Sequence, residues 1–218
     1  MIENKEDQTL LDETAYRLLL ATIPRWTIID MRRRQNVAEH SFNTQILALS
    51  LYDFMQNGTS HNRFDRESVM MWAIDHDMDE IESGDMPSPL KREMEKLFPK
   101  AMDAAVDNMM INKLPSFVSR RRGVKDSYPY DVVKVADKLE EVLYNHKHGY
   151  DRRARDALVD GLYLLRDRLQ HAEKAHPRYD WGRAKLWLEF FLRDVIGFSF
   201  GVVTSGVPSL RDIVWATP

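Results

Sequence analysis

Cysteine is missing from all 218 residues. That excludes disulfides, a thiol nucleophile and any thiolate zinc site, and it suits a reducing compartment. An excess of charge of one sign is missing too: 31 Lys and Arg stand against 34 Asp and Glu, for a formal net charge of -3. So balanced a chain is not a bulk binder of polyanions, which argues against a nucleic-acid polymer as partner and leaves only a local basic patch open. No apolar run is long enough to cross a bilayer, so no membrane partner is expected. The first residues, Met1 to Glu13, are polar and acidic, unlike a signal or transit peptide, and a cytoplasmic protein is expected. Internal repeats, low-complexity tracts and convincing strand alternation are also absent.

What is present is helical periodicity almost throughout, in a chain whose length fits one domain with a sizeable core. Leu10, Leu11, Ala15, Leu18 and Leu19 mark a first amphipathic helix that stops near Pro24. Asn36-Val37-Ala38-Glu39 reads as a capping box opening a helix to about Gln56, with Val37, Phe42, Ile46 and Leu49 at helical spacing. Asn57-Gly58-Thr59-Ser60 is a loop. Asp65 caps a third helix that runs through Val69, Trp72 and Ala73 to about Glu80. Ser83 to Pro89 is rich in turn formers, and Ser88-Pro89 looks like the N-cap and first position of a short helix. A helix follows near Pro99 to Lys113, and Ser119 to Pro129 reads as loop. Further helices are expected from Pro129 or Tyr130 to about His146, over Asp151 to Ala175, and over Asp180 to Ile196. The last carries Trp181, Trp187, Phe190 and Phe191, for which core packing is the default and a subunit interface the alternative. The expectation is a single all-α domain.

Three of these helices carry the residues that matter chemically. His40 lies inside one, His76-Asp77 near the end of another, and Asp137 inside a third. Imidazole and carboxylate hold a borderline or hard divalent cation when no thiolate is available. His76-Asp77 alone reads more readily as a structural pair, and His40 alone as a hydrogen-bonded core histidine. Asp137, however, sits within Val133-Lys134-Val135-Ala136-Asp137, where an unpaired carboxylate is costly and a cation removes the cost. Two imidazoles and two carboxylates leave positions for water, which suits Mn, Co, Fe or Zn in an open site better than a closed structural zinc. Glu80, four residues beyond His76, shares its helix face and is the candidate general acid or base.

These motifs, in this order, resemble the HD-domain phosphohydrolases, whose pattern is H…HD…D, and most of all the bacterial YfbR-type 5'-deoxynucleotidases. Arg25-Trp26, Asn36-Val37 and Glu39-His40-Ser41 fall at that group's spacing. His76-Asp77-Met78-Asp79-Glu80 followed by Gly84-Asp85-Met86-Pro87-Ser88-Pro89-Leu90-Lys91 is similar to its HDxxE…GDxPxPxK, and Lys134-Val135-Ala136-Asp137 to its KxAD. The resemblance covers about residues 21–141; beyond 151 it is one of helices only. It implies an HD-domain helical bundle with a divalent metal (Co, Mn, Zn, Fe or Mg) held in its core by His40, His76, Asp77 and Asp137, and Glu80 as the catalytic carboxylate. It implies Arg25, Lys91 and Lys134 on phosphate oxygens, and Trp26 on a sugar without a 2'-hydroxyl. Asp85 and Pro89 would border the deoxyribose, and Ile28 would touch the base. The implied substrate is a 5'-deoxynucleotide, and the group often forms homodimers or larger assemblies.

Two rivals share those residues. Similar phage enzymes remove the whole triphosphate from dATP, so a phage source and a host cytoplasm also fit. A triphosphate needs extra cations near the metal, for which Arg32, Arg33 and Arg34 are the candidates. A nucleotide sensor without turnover is the other rival, although every expected ligand and Glu80 are in place.

Overall fold

The computed structural model describes residues 5–56 and 63–196. The loop expected at Asn57 to Ser60 and the tail from Phe198 lie outside the described residues. As expected, the described chain is all-α: α1 (Lys5–Arg17), a 3-10 turn (Leu18–Thr22), α2 (Val37–Gln56), α3 (Arg63–Asp75), α4 (Glu80–Ser83), α5 (Ser88–Leu97), α6 (Pro99–Met110), α7 (Pro115–Val124), α8 (Tyr128–His148), α9 (Arg152–Ala175) and α10 (Trp181–Ile196). Pairing between extended segments is confined, among the described residues, to single bridges at Pro24–Asn36 and Met31–Gly149.

Helix α8 is the central post and packs against α2, α3 and α9. Its start is fixed by Ser127, whose hydroxyl accepts from the Tyr130 N–H, and Gly149 ends it. Between them Val132, Val133, Val135, Ala136, Leu139 and Val142 are buried, so the helix meets neighbours on several sides. Helix α2 lies across it. Asn36 caps α2 by accepting from the Glu39 N–H at 2.8 Å, but the other arm of the expected box is not made: Glu39 pairs with Arg33 instead. The buried stripe of α2 runs Val37, His40, Ser41, Thr44, Leu47, Ala48, Leu51, Tyr52 and Met55, a 3–4 residue spacing. Phe42 and Ile46, expected inside, are 61% and 52% exposed. The stripe includes polar His40, Ser41 and Thr44, so hydrophobicity alone pointed to the wrong face.

Helix α3 corrects another expectation. It stops at Asp75 instead of running to Glu80. The next residues form a tight turn, with Met78 N–H donating to the Asp75 carbonyl (3.0 Å) and Glu80 N–H to the Asp77 carbonyl (3.1 Å). Two things end the helix here. Asp and His are indifferent helix formers, and the fully buried Asp75 carboxylate is gripped by Arg17 of α1 and Arg120 of α7. Asp65, expected as the cap of α3, lies within its first turn. The stretch expected as loop after Ser119 is largely helix α7, opened by Pro115 and anchored by buried Phe117 and Val118. Its arginines look like a solvated run but are tied down: Arg121 reaches Asp103 and Asp107 of α6, and Arg122 reaches Asp107. Helix α5 begins one residue early, with Pro87 as N-cap and Ser88 as first residue. Leu10, Leu11, Leu18 and Leu19, counted as an apolar face, are exposed. In α10, Trp181 and Trp187 are buried while Phe190 is exposed.

Candidate active site

The break after α3 is what builds the site. On a continuous helix His76 and Asp77 point about 100° apart; in the turn both are buried and aim at the same neighbours from α2 and α8. His76 Nε2 lies 3.3 Å from His40 Nε2, 3.3 Å from Asp77 Oδ2 and 3.9 Å from Asp137 Oδ1. His40 Nε2 lies 3.1 Å from Asp137 Oδ1 and 3.5 Å from Asp77 Oδ2. His40, His76 and Asp137 each offer a ligand atom within 4.8 Å of the others.

The imidazoles are oriented by their far nitrogens. His76 Nδ1 is 2.9 Å from the Ala73 carbonyl, which accepts its proton and leaves Nε2 with a lone pair facing inward. His40 Nδ1 is 2.6 Å from Glu140 Oε2, with the same consequence. Two inward ring nitrogens 3.3 Å apart repel unless a proton or a cation lies between them. Ligands about 2.1 Å from a Zn-like ion sit about 3.0–3.4 Å from one another. Most of these separations match that spacing, so the donor set fits one divalent cation.

Without a cation that positive charge is a proton on His40, which a bound metal displaces. Burial and Arg25 push the His40 pKa down, but Glu140 and Asp137 outweigh them and bring it up to about 9. Burial lowers His76 to about 4 despite Asp77 and Asp137, so its ring is neutral at neutral pH. Asp77 and Asp137 stay ionised: burial opposes this, but His76 and Lys91 for the first, and Lys134 and His40 for the second, prevail. Glu80 differs. Burial and the Asp77 charge raise its pKa well above the usual carboxylate range, against the pull of Lys91 with Nζ 3.7 Å from Oε1. Its Oε2 is buried and has no hydrogen-bond partner among the described residues. His76 and Glu80 share no helix face as expected, because the turn separates them, yet both reach the same centre.

Two adjoining clefts share Arg25 and Asp85, and the second opens onto this centre. The first, about 100 Å³, is lined by Arg25, Trp26, Ile28, Asp85, Pro89 and residues of α9. The second, of similar size, is lined by Arg25, Asp77, Glu80, Asp85, Lys91, Lys134 and Asp137. The residues implied for metal, proton transfer, phosphate, sugar and base therefore all lie at the centre or on a cleft wall. Trp26 holds a left-handed backbone (φ 62°), which costs a non-glycine residue about 1–3 kcal/mol. Asp85 Oδ2 accepts its N–H at 3.1 Å and fixes the strained turn.

Other functional positions were missed. Glu140, which orients His40, lies one turn beyond Asp137 on α8, and that spacing is the only sequence signal for it. Helix α9 contributes Asp160, Gly161, Leu164 and Arg168 to the cleft walls although the chain beyond 151 resembled nothing but helix. Gly161 eases the crossing of α9 over α8, since a Cβ there would come 3.0 Å from Val142 Cγ2 and the valine would have to give way by a few tenths of an ångström. Arg32, Arg33 and Arg34 do not line these clefts, and Arg33 pairs with Glu39; the additional cations there are Arg92, Lys138 and Arg168.

Comparison with known proteins supplies the remaining facts. The family described as 5'-deoxynucleotidase YfbR-like matches residues 14–147. A 5'-deoxynucleotidase of Pectobacterium atrosepticum is 29% identical over 128 residues, 55% of this chain and 64% of that protein. One from Yersinia pestis is 28% identical over the same shares. The match thus spans somewhat under two thirds of the length of these curated relatives. Among solved structures, the cyanophage S-2L HD phosphohydrolase DatZ, bound to dA and one catalytic Zn2+ ion, superposes with a TM-score of 0.67 at 20% identity, covering 83% of this chain and 96% of its own. A Pyrococcus horikoshii protein gives 0.54 at 21% identity, covering 86% and 98%. At these identities the likeness is one of fold.

Proposed function

The chain belongs to the YfbR-like 5'-deoxynucleotidase family, and from that membership we propose that it is a metal-dependent phosphohydrolase that converts 2'-deoxynucleoside 5'-monophosphates to deoxynucleoside and phosphate. The observation that carries this reading is the convergence of His40, His76, Asp77 and Asp137 beside a buried carboxyl group, Glu80, whose pKa burial and Asp77 raise well above the usual carboxylate range. His40, His76, Asp77 and Asp137 hold the cation. When bound, the cation lowers the pKa of a water and neutralises phosphate charge.

The chain's own residues do the rest. Arg25, Lys91 and Lys134 take the phosphate oxygens and offset the charge that grows on them. Glu80 lies beside Lys91 and delivers its proton to the departing 5' oxygen, so the leaving group departs as a neutral hydroxyl. Trp26, held by Asp85, packs on the sugar where a 2'-hydroxyl has no room. Asp85 and Pro89 border the deoxyribose and Ile28 meets the base.

A second reading rests on a further cavity of about 240 Å³ on the far side of Lys91 and Lys134, which also reaches Arg168. It offers space and positive charge for more phosphates, as a deoxynucleoside triphosphate would need. The exposed Phe42 and Ile46 on α2 support a homodimer as the working form.

Incubating the protein with Mn2+ or Co2+ and a panel of dNMPs, NMPs and dNTPs tests the assignment. Orthophosphate from dNMPs, with NMPs inert, is expected. Tripolyphosphate from a dNTP would favour the second reading, and no release from any substrate would remove both.

A further inference from the structure

Gln35 is 1% exposed, and its side chain has one face toward the sugar-side tryptophan and the other toward the metal ligands. Its Oε1 accepts from the Trp26 indole N–H at 3.3 Å and from Arg25 at 3.4 Å. Its Nε2 donates to Glu140 Oε1 at 2.6 Å. The other Glu140 oxygen, Oε2, lies 2.6 Å from His40 Nδ1. Asn43 also donates to Oε1, at 3.1 Å. The orientation of the amide is fixed by its neighbours: reversed, it would aim N–H at two donors and its oxygen at a carboxylate.

We propose that Gln35 and Glu140 are positioning residues that couple the sugar cleft to the metal site, so that the placement of Trp26 and the aim of His40 are set together. The inference rests on the metal-site reading above. The path runs Trp26 Nε1, Gln35, Glu140, His40 Nδ1, every member is buried, and every step is a hydrogen bond. In such surroundings each bond strengthens its neighbours, and a broken one leaves a polar atom stranded. Trp26 is the natural lever, because its strained backbone is held by Asp85 while its indole N–H holds Gln35. The function follows by reciprocity: a deoxynucleotide that settles Trp26 tightens the cation, and the cation prepares the sugar cleft by the same factor.

The test measures Mn2+ affinity by the EPR signal of free Mn2+, with no substrate present. Thermal melting first confirms that each variant folds. Trp26→Phe keeps an aromatic ring but loses the N–H, and touches none of the four metal donors. It should weaken Mn2+ binding about fivefold. Gln35→Glu sets a carboxylate against Glu140 and should weaken it by about 10-fold or more. The double variant Gln35→Glu with Glu140→Gln exchanges amide and carboxylate, restores the bonds from position 140 to position 35 and to His40 at the expense of the one from Asn43, and should recover part of the loss. If Trp26→Phe binds Mn2+ as the wild type does, or the double variant binds no better than Gln35→Glu, the coupling is overturned while the metal site stands. A wild type that binds no Mn2+ overturns the metal site and the coupling with it. Trp26→Phe keeps the test decisive if Gln35→Glu fails to fold.

Discussion

Replacing Asp75 with asparagine removes one negative charge from a fully buried position immediately before His76. The carboxylate is shared by Arg17 from α1 and Arg120 from α7, whose side chains keep 23% and 30% of their exposure. Removing one partner of a wholly buried pair costs about 3–5 kcal/mol, because the other charge is left without water or counter-ion. Here both guanidinium groups can regain water, and the asparagine oxygen still accepts one hydrogen bond, so the loss should be about 2–3 kcal/mol. In a chain of this size that lowers the melting temperature by about 4–12 °C. Urea unfolding followed by circular dichroism reads the difference directly, with an unchanged m-value showing that the denatured state is not responsible. A midpoint shift worth under about 0.5 kcal/mol would refute the view that this clamp, rather than residue propensity alone, ends α3 where it does.

Further outcomes follow from the same geometry. Glu80 keeps its proton to a higher pH folded than unfolded, so its ionisation makes stability fall as pH rises through that window. Glu80→Gln has no such slope, and its melting temperature relative to metal-free wild type should climb as pH rises above the usual carboxylate range; a constant difference would contradict the raised pKa. Lys91→Ala should lower kcat/KM for dNMPs about 100-fold, corresponding to about 2.7 kcal/mol, while Mn2+ affinity changes little. Steady-state kinetics with a Mn2+ titration separates the two effects. Trp26→Ala should cut the preference for dNMP over NMP by about tenfold or more, read as a ratio of kcat/KM values.

Much of this was legible in the sequence because it depends on side-chain chemistry and order along the chain. His40, His76-Asp77 and Asp137 were recognisable by residue type and by the apolar context of Asp137. The spans of α8 and α9 were legible to within two residues from their periodicity, although the caps that fix their starts, Ser127 accepting from Tyr130 N–H and Asp151 from Ala154 N–H at 2.7 Å, were not. What escaped depends on partners far away in sequence. The end of α3 is fixed by arginines 58 and 45 positions distant from Asp75. Helix α7 read as loop because its arginines seemed solvated, whereas their partners are aspartates on α6 and the buried Asp75. Glu140 and Gln35 looked like ordinary polar residues, and only their separation of 2.6 Å in space gives them a role. The buried face of α2 was misjudged because a metal ligand and two hydroxyl side chains occupy it.

The central claim is that one divalent cation sits among His40, His76, Asp77 and Asp137. Crystals of the protein grown with Mn2+ and measured for anomalous scattering test it most directly. A single strong peak within about 2.4 Å of His40 Nε2, His76 Nε2, Asp77 and Asp137 is expected, and it should vanish in Asp137→Ala. Density showing both imidazoles turned away from each other, with no anomalous peak between them, would contradict the account.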